Sequence, residues 1–224
     1  AVLEILDRQF LSVIKRFEID YQEQDGTITK EIIYIGTLSH NNAKNRGQGR
    51  TLIDKYLPQY TFNEFHEIVV NSQIENVYHV AKDFDLSKSK IIAFLFKIRG
   101  LPTKRLNLQN FIDDIGFTNL EENYPFERLV GFWTRLKIAK IPSYEDFSNN
   151  LISPWLKVVW NFQFEKLDKD KTKVSTETRV LCVAPITRFT FGLYWTIIKP
   201  FSGLIRKKML KIIKDDSESV KPNS

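Results

Sequence analysis

Apolar positions along this chain switch between a helical recurrence and strict alternation, and those switches divide it into elements. Near the start, Leu3, Leu6 and Phe10, with Val2, Ile5 and Val13, fit a short helix. Alternation at Phe17, Ile19 and Tyr21, the turn Gln24-Asp25-Gly26, and renewed alternation at Ile28, Lys30, Ile32 and Tyr34 predict a hairpin over 12–35. The polar, glycine-containing run 39–49 has no hydrophobic period and reads as a boundary between a small N-terminal extension, 1–46, and a main domain, 51–214. Residues 61–70 alternate and predict a strand. Ser72-Gln73-Ile74-Glu75 has the form of a capping box, after which Ile74, Val77, Tyr78 and Ala81 give a helix one apolar face. Helices follow at 87–98 and 107–115, the second stopped by Gly116.

From Phe117 the period becomes two, predicting strands at 117–122, 127–137, 155–165 and 173–183, with a tight turn at 167–171. In 155–165, Leu156, Val158, Trp160, Phe162 and Phe164 form a dry face, and Lys157, Val159, Asn161, Gln163 and Glu165 a wet one. In the next strand, Val174, Thr176, Thr178, Val180 and Cys182 oppose Lys173, Ser175, Glu177 and Arg179, so its inner face is semi-polar. A long helix over 187–214 closes the domain, with a kink or break expected at Pro200 and Gly203, and 215–224 reads as a flexible tail.

Composition adds limits. A chain of 224 residues, 42% hydrophobic and 27% charged, is ordinary globular protein, which excludes disordered, collagen-like and coiled-coil classes. The single cysteine, Cys182, cannot form an internal disulfide, so a reducing, cytoplasmic compartment is expected. The apolar stretch 189–198 is well short of the roughly 18 to 20 residues of a membrane span. The opening Ala1-Val2-Leu3-Glu4 lacks the order of a signal peptide, and without an initiator Met it reads as processed or a fragment. The net charge of +6 lies wholly after Arg50, because the seven basic and seven acidic residues up to that point cancel. It accompanies 17 Phe, 8 Tyr and 4 Trp, a pairing that could signal stacking on nucleic acid. Strand phase places much of the aromatic content on one sheet face and the cations in the last helix, so no nucleic-acid partner is expected.

The order strand, helices, antiparallel strands, long C-terminal helix is the helix-grip plan, an α+β fold in which a curved antiparallel sheet wraps around the last helix. Residues 51–214 resemble the SRPBCC superfamily, the START-like group related to the birch-pollen allergen and polyketide cyclase folds. They are most similar to a bacterial subgroup of it. The residues that carry the resemblance are Leu52 to Pro58 leading into Phe62-Asn63-Glu64-Phe65-His66, then Ile74 to Tyr78, Arg99-Gly100-Leu101-Pro102, Trp160-Asn161-Phe162, Thr176 to Val180, and Tyr194-Trp195 through Pro200-Phe201-Ser202-Gly203-Leu204-Ile205-Arg206. Ser72-Gln73 stands where the superfamily usually shows Ala-Pro.

The resemblance implies a hydrophobic or amphipathic small molecule (lipid-like, isoprenoid or aromatic) held between sheet and helix, with no cofactor and no catalysis required. Mostly apolar walls with sparse polar groups suit such a pocket, though the same side chains can simply fill a core. Trp160, Phe162 and Trp195 are the candidate walls, and Thr176 and Thr178 the polar points. Of the neighbours Tyr194 and Trp195 only one can face inward, and Trp195 is the choice. Glu64 and His66 share a strand face and could orient a ligand hydroxyl, or serve as the acid/base couple of a cyclase or dehydratase. A filled-core interaction module is the third reading.

Three further features have a functional and an ordinary explanation. Leu204 to Lys214 carries five cations opposite an apolar face and could meet an anionic membrane surface, although packing on the sheet with solvated cations explains it equally. Arg46-Gly47-Gln48-Gly49-Arg50-Thr51 approaches a pyrophosphate-cradling loop but has Thr51 where Gly or Ala is needed. His40, His66 and His79 are too widely spaced to indicate a metal site. Asp85, Lys97, Arg99 and the loop 138–154 could border an entrance, and the sequence leaves the oligomeric state open.

Overall fold

The structure, a computed structural model, describes residues 15–22, 28–35, 51–98, 106–134, 138–139, 147 and 156–219. The expected first helix, the linker 39–49, the Arg46–Thr51 loop before Thr51, Arg99 to Pro102 and most of the loop 138–154 lie outside these. The alternating N-terminal residues form β1 (Lys15–Gln22) and β2 (Ile28–Ile35), an antiparallel pair in register from Lys15↔Ile35 to Gln22↔Ile28. The main domain runs α1 (Leu52–Tyr56), β3 (Phe62–Val70), α2 (Ile74–Lys82), a 3-10 turn at Leu86–Lys88, α3 (Lys90–Ile98) and α4 (Leu108–Asp114). It continues with β4 (Thr118–Asn123), β5 (Glu127–Thr134), β6 (Ile138–Ala139), β7 (Leu156–Asp168), β8 (Lys171–Cys182) and α5 (Pro185–Ser219). The sheet order is β3-β8-β7-β5-β4, with β6 pairing β5 and every pairing antiparallel. This sheet with α5 across its inner face is the helix-grip fold. Strand β2 runs beside α5.

Gly116 ends α4 as expected. Its φ of 78° is open to glycine without a Cβ penalty, and Gly116 N–H and Phe117 N–H donate to Asp113 O and Ile112 O at 3.1 and 3.0 Å. Three expectations need correction. The capping box does not form: α2 starts after Gln73, and the Ser72 hydroxyl instead accepts from Asn76 Nδ2 at 2.8 Å. The helix α5 continues through Pro200 and Gly203, and past Lys214 to Ser219, so 215–219 are helix rather than tail. The wet face of the sheet is largely covered: Lys157, Asn161, Glu177 and Arg179 are all buried.

What covers that face is α1 and Phe147, which join Leu57, Leu129, Trp133 and Val159 in a second apolar cluster. Beneath α1 the polar side chains bond one another. Arg179 meets Asp54 Oδ1 at 2.7 Å and Glu177 Oε1 at 3.2 Å, and donates to Leu57 O at 3.0 Å. Asn161 Oδ1 accepts from Glu177 N–H at 2.9 Å, while its Nδ2 donates to Glu127 Oε1 at 2.6 Å. Glu127 Oε2 accepts the Leu52 amide at 2.7 Å at the start of α1. Burial pushes the Glu127 carboxyl above its ordinary range despite these donors. Burial pulls the Arg179 guanidinium down, but the Glu177 and Asp54 carboxylates more than offset it and hold it above its ordinary value.

Lys157 on the same face donates to Phe147 O and sits 4.9 Å from the Phe147 ring. Burial lowers its pKa below the ordinary 10.5. Between the folded value and 10.5 the unfolded chain holds the proton and the folded chain does not, so stability rises with pH across that interval. Lys157→Met is expected to flatten this alkaline rise, read from urea midpoints at neutral and alkaline pH. An undiminished rise in the variant would assign it to other groups.

Candidate functional site

The candidate residues lie in cross-strand rows on the inner face. Phe62, Val180 and Val158 form one row, Glu64, Thr178 and Trp160 the next, then His66, Thr176 and Phe162, and last Ile68, Val174 and Phe164. Polar rows are thus held between apolar ones. Trp160 and Phe162 belong to the main core with Leu204, Ile205 and Met209 of α5. Trp195 belongs to a separate cluster with Phe62, Leu156, Val158, Val180 and Cys182. Glu64 and Thr178 occupy the seam.

Each candidate has a distinct environment. Trp160 is 2% exposed, and its Nε1–H donates to Thr176 Oγ1 at 2.7 Å. The Thr176 hydroxyl in turn donates to Asn161 O at 2.8 Å, so it is committed to holding the sheet together. Arg206, a cation that pattern alone assigns to the solvated face, lies with Cζ 3.8 Å from the Trp160 ring and donates to Thr178 Oγ1 at 2.9 Å. Phe162 packs edge-on to Phe84 with ring centroids 6.4 Å apart. Trp195 faces inward, with Phe62 and Phe191 ring centroids at 5.9 and 5.7 Å, while Tyr194 points out. Asp85 caps the 3-10 turn by accepting from Ser87 N–H at 2.8 Å.

Glu64 and His66 do meet: Oε1 and Nε2 are 3.0 Å apart. With Glu64 ionised the carboxylate can only accept, so the proton sits on His66 Nε2. The Glu64 side chain is 5% exposed and the His66 side chain 20%. The second carboxylate oxygen, Glu64 Oε2, is buried and has no hydrogen-bond partner among the described residues. Above the pair passes Gly203 of α5, where a Cβ would lie 2.8 Å from Glu64 Oε1 and 3.4 Å from His66 Nε2. The glycine that pattern alone marks as a helix breaker is instead where the helix comes down onto this pair. Of residues 185–202, N-terminal to it, only Trp195 is buried.

Other chemistries find less support. Cys182 is buried, and burial pushes its thiol up to about 11, against the pull of the Thr61 hydroxyl, which leaves little thiolate near neutrality. Among the described residues no group of three or more His, Cys, Asp or Glu could hold a metal ion, and no helix is long and apolar enough to cross a membrane.

No family model and no curated protein matches the chain. Among solved structures it is similar to TTHA0849 of Thermus thermophilus, at 12% identity over 70% of this chain and 97% of that one, with a TM-score of 0.33. It is also similar to the Zhui aromatase/cyclase of Streptomyces sp. R1128, at 10% identity over 70% and 93% of the two chains, with a TM-score of 0.32. A hypothetical protein of Helicobacter pylori, jhp0584, matches at 14% identity over 81% and 99%, with a TM-score of 0.35. The strand order and the C-terminal helix, not these likenesses, define the fold.

Proposed function

We propose that the protein binds a hydrophobic or amphipathic small molecule beneath the N-terminal half of α5, its polar end against Glu64 and His66. The observation that carries this is Glu64 Oε2, a buried carboxylate oxygen with no partner among the described residues. Such a group costs roughly 1–3 kcal/mol or more when unsatisfied, and a ligand hydroxyl or amine would remove that cost. Apolar contact then comes from Trp195, Phe62 and Phe191 in the neighbouring cluster. Trp160 and Phe162 support this site from behind rather than line it, because both are packed into the main core.

Native mass spectrometry of the purified chain tests the reading. The expected result is a non-covalent apolar mass on the wild type, and about tenfold weaker retention of it by Glu64→Gln, which exchanges a charge-assisted hydrogen bond for a neutral one. A bare chain would point to the filled-core interaction module instead, and equal retention by both proteins would mean that the molecule is not held by Glu64. A second reading, an acid/base enzyme of the cyclase or dehydratase kind, is favoured by the 3.0 Å Glu64–His66 contact and the solvent access of His66. It requires turnover of the retained molecule that disappears in His66→Ala while binding persists.

A further inference from the structure

The outward face of α5 changes character along its length. Ile186, Phe189 and Ile197 recur at helical spacing and are 69%, 40% and 54% exposed, with Tyr194 at their edge 45% exposed. About three to four turns further on, the same outward direction carries Lys207 and Lys211, both exposed. An exposed apolar stripe on a helix lacks the burial that would stabilise it, which marks an interaction surface. Charge then decides what kind. Between Glu177 and Asp215 there is no Asp or Glu at all, while 183–214 carries Arg188, Lys199, Arg206, Lys207, Lys208, Lys211 and Lys214.

A two-fold association of this face with a second copy would set those cations against their own images with no carboxylate on the helix to meet them before Asp215. A surface of anionic headgroups over an apolar interior matches both halves of the pattern: side chains such as Ile186, Phe189 and Ile197 enter the acyl boundary, and lysines further along stay at headgroup level. We infer that the N-terminal half of α5 docks the protein on an anionic lipid bilayer. This places the contact upstream of 204–214, whose own apolar residues Leu204, Ile205, Met209, Leu210, Ile212 and Ile213 are buried in the core. The docking stands whether or not a ligand occupies the site below.

Cosedimentation of the full chain with phosphatidylcholine vesicles containing or lacking phosphatidylglycerol tests it, beside an Ile186→Glu/Ile197→Glu variant. Both positions are exposed, so the variant is expected to keep the wild-type circular dichroism and melting temperature. The wild type should pellet with the acidic vesicles only and release as salt rises, and the variant's vesicle affinity should fall about tenfold or more. Failure of the wild type to bind acidic vesicles, or equal binding by both proteins, overturns the inference. So does either alternative occupant: a wild-type dimer that the variant dissolves in light scattering means a second copy, and a lowered melting temperature without vesicle binding means this chain's own N-terminal segment.

Discussion

Arg179→Ala is expected to lower the free energy of unfolding by about 3–5 kcal/mol, a large share of the 5–15 kcal/mol that holds a typical domain together. The guanidinium is nearly fully buried and serves three sets of partners: the carboxylates of Glu177 and Asp54, the carbonyls of Ile53 and Leu57, and the Tyr60 ring at 4.8 Å. Truncation takes the guanidinium from the equally buried Glu177 and removes a donor from the carbonyls of Ile53 and Leu57, of which Ile53 O keeps the Leu57 amide at 3.0 Å. The penalty is that of uncompensated burial rather than the worth of one ion pair. Arg179→Lys keeps the charge but not the forked donor geometry, and should recover only part of the loss. Urea unfolding gives both values; a loss below about 1 kcal/mol for the alanine variant would mean that water reaches this network and that it acts as a surface pair.

The same network marks where the sequence stops being informative. Period-two alternation correctly separates Trp160 from Asn161 and Thr178 from Arg179, because each strand residue must point to one side or the other. Whether the outer side meets water depends on a distant segment, α1, lying across it, and nothing in 155–183 encodes that. Polar identity at Lys157, Asn161, Glu177 and Arg179 therefore reads as solvent exposure when it is in fact a bonded layer under α1. Ser72 fails as a cap for a similar reason: its hydroxyl is taken by Asn76 and its carbonyl accepts from Thr172 Oγ1 at 2.8 Å, across 100 residues. The Glu64–His66 contact is legible, since residues two apart on a strand share a face. Its place under Gly203 is not, because a glycine inside a helical pattern signals a break as readily as a close approach. The candidate walls show the same limit. Phase puts Trp160, Phe162 and Trp195 inside, but cannot say which packs into the core and which borders the seam.

Trp160→Ala is expected to cost about 3–5 kcal/mol, the range for removing a large aromatic from a packed interior. The side chain is almost wholly buried between Phe117, Phe162 and the Arg206 guanidinium, with ring centroids 6.1 and 5.2 Å away and Arg206 Cζ at 3.8 Å. Trp160→Phe keeps most of that packing and loses the Nε1–H donated to Thr176, so it should cost only about 1–2 kcal/mol beyond the lost volume. The interval between the two variants in chemical denaturation isolates the packing contribution. A residue lining open space behaves otherwise: truncation enlarges a volume already accessible to ligand or water, and the cost falls toward that of a surface change. A loss near 1 kcal/mol for Trp160→Ala would therefore return this tryptophan to the ligand wall. A loss in the expected range makes it the floor of the site. Room for a bound molecule then has to come from the other side of the Glu64–Thr178 row, where Trp195 is the only buried residue of 185–202.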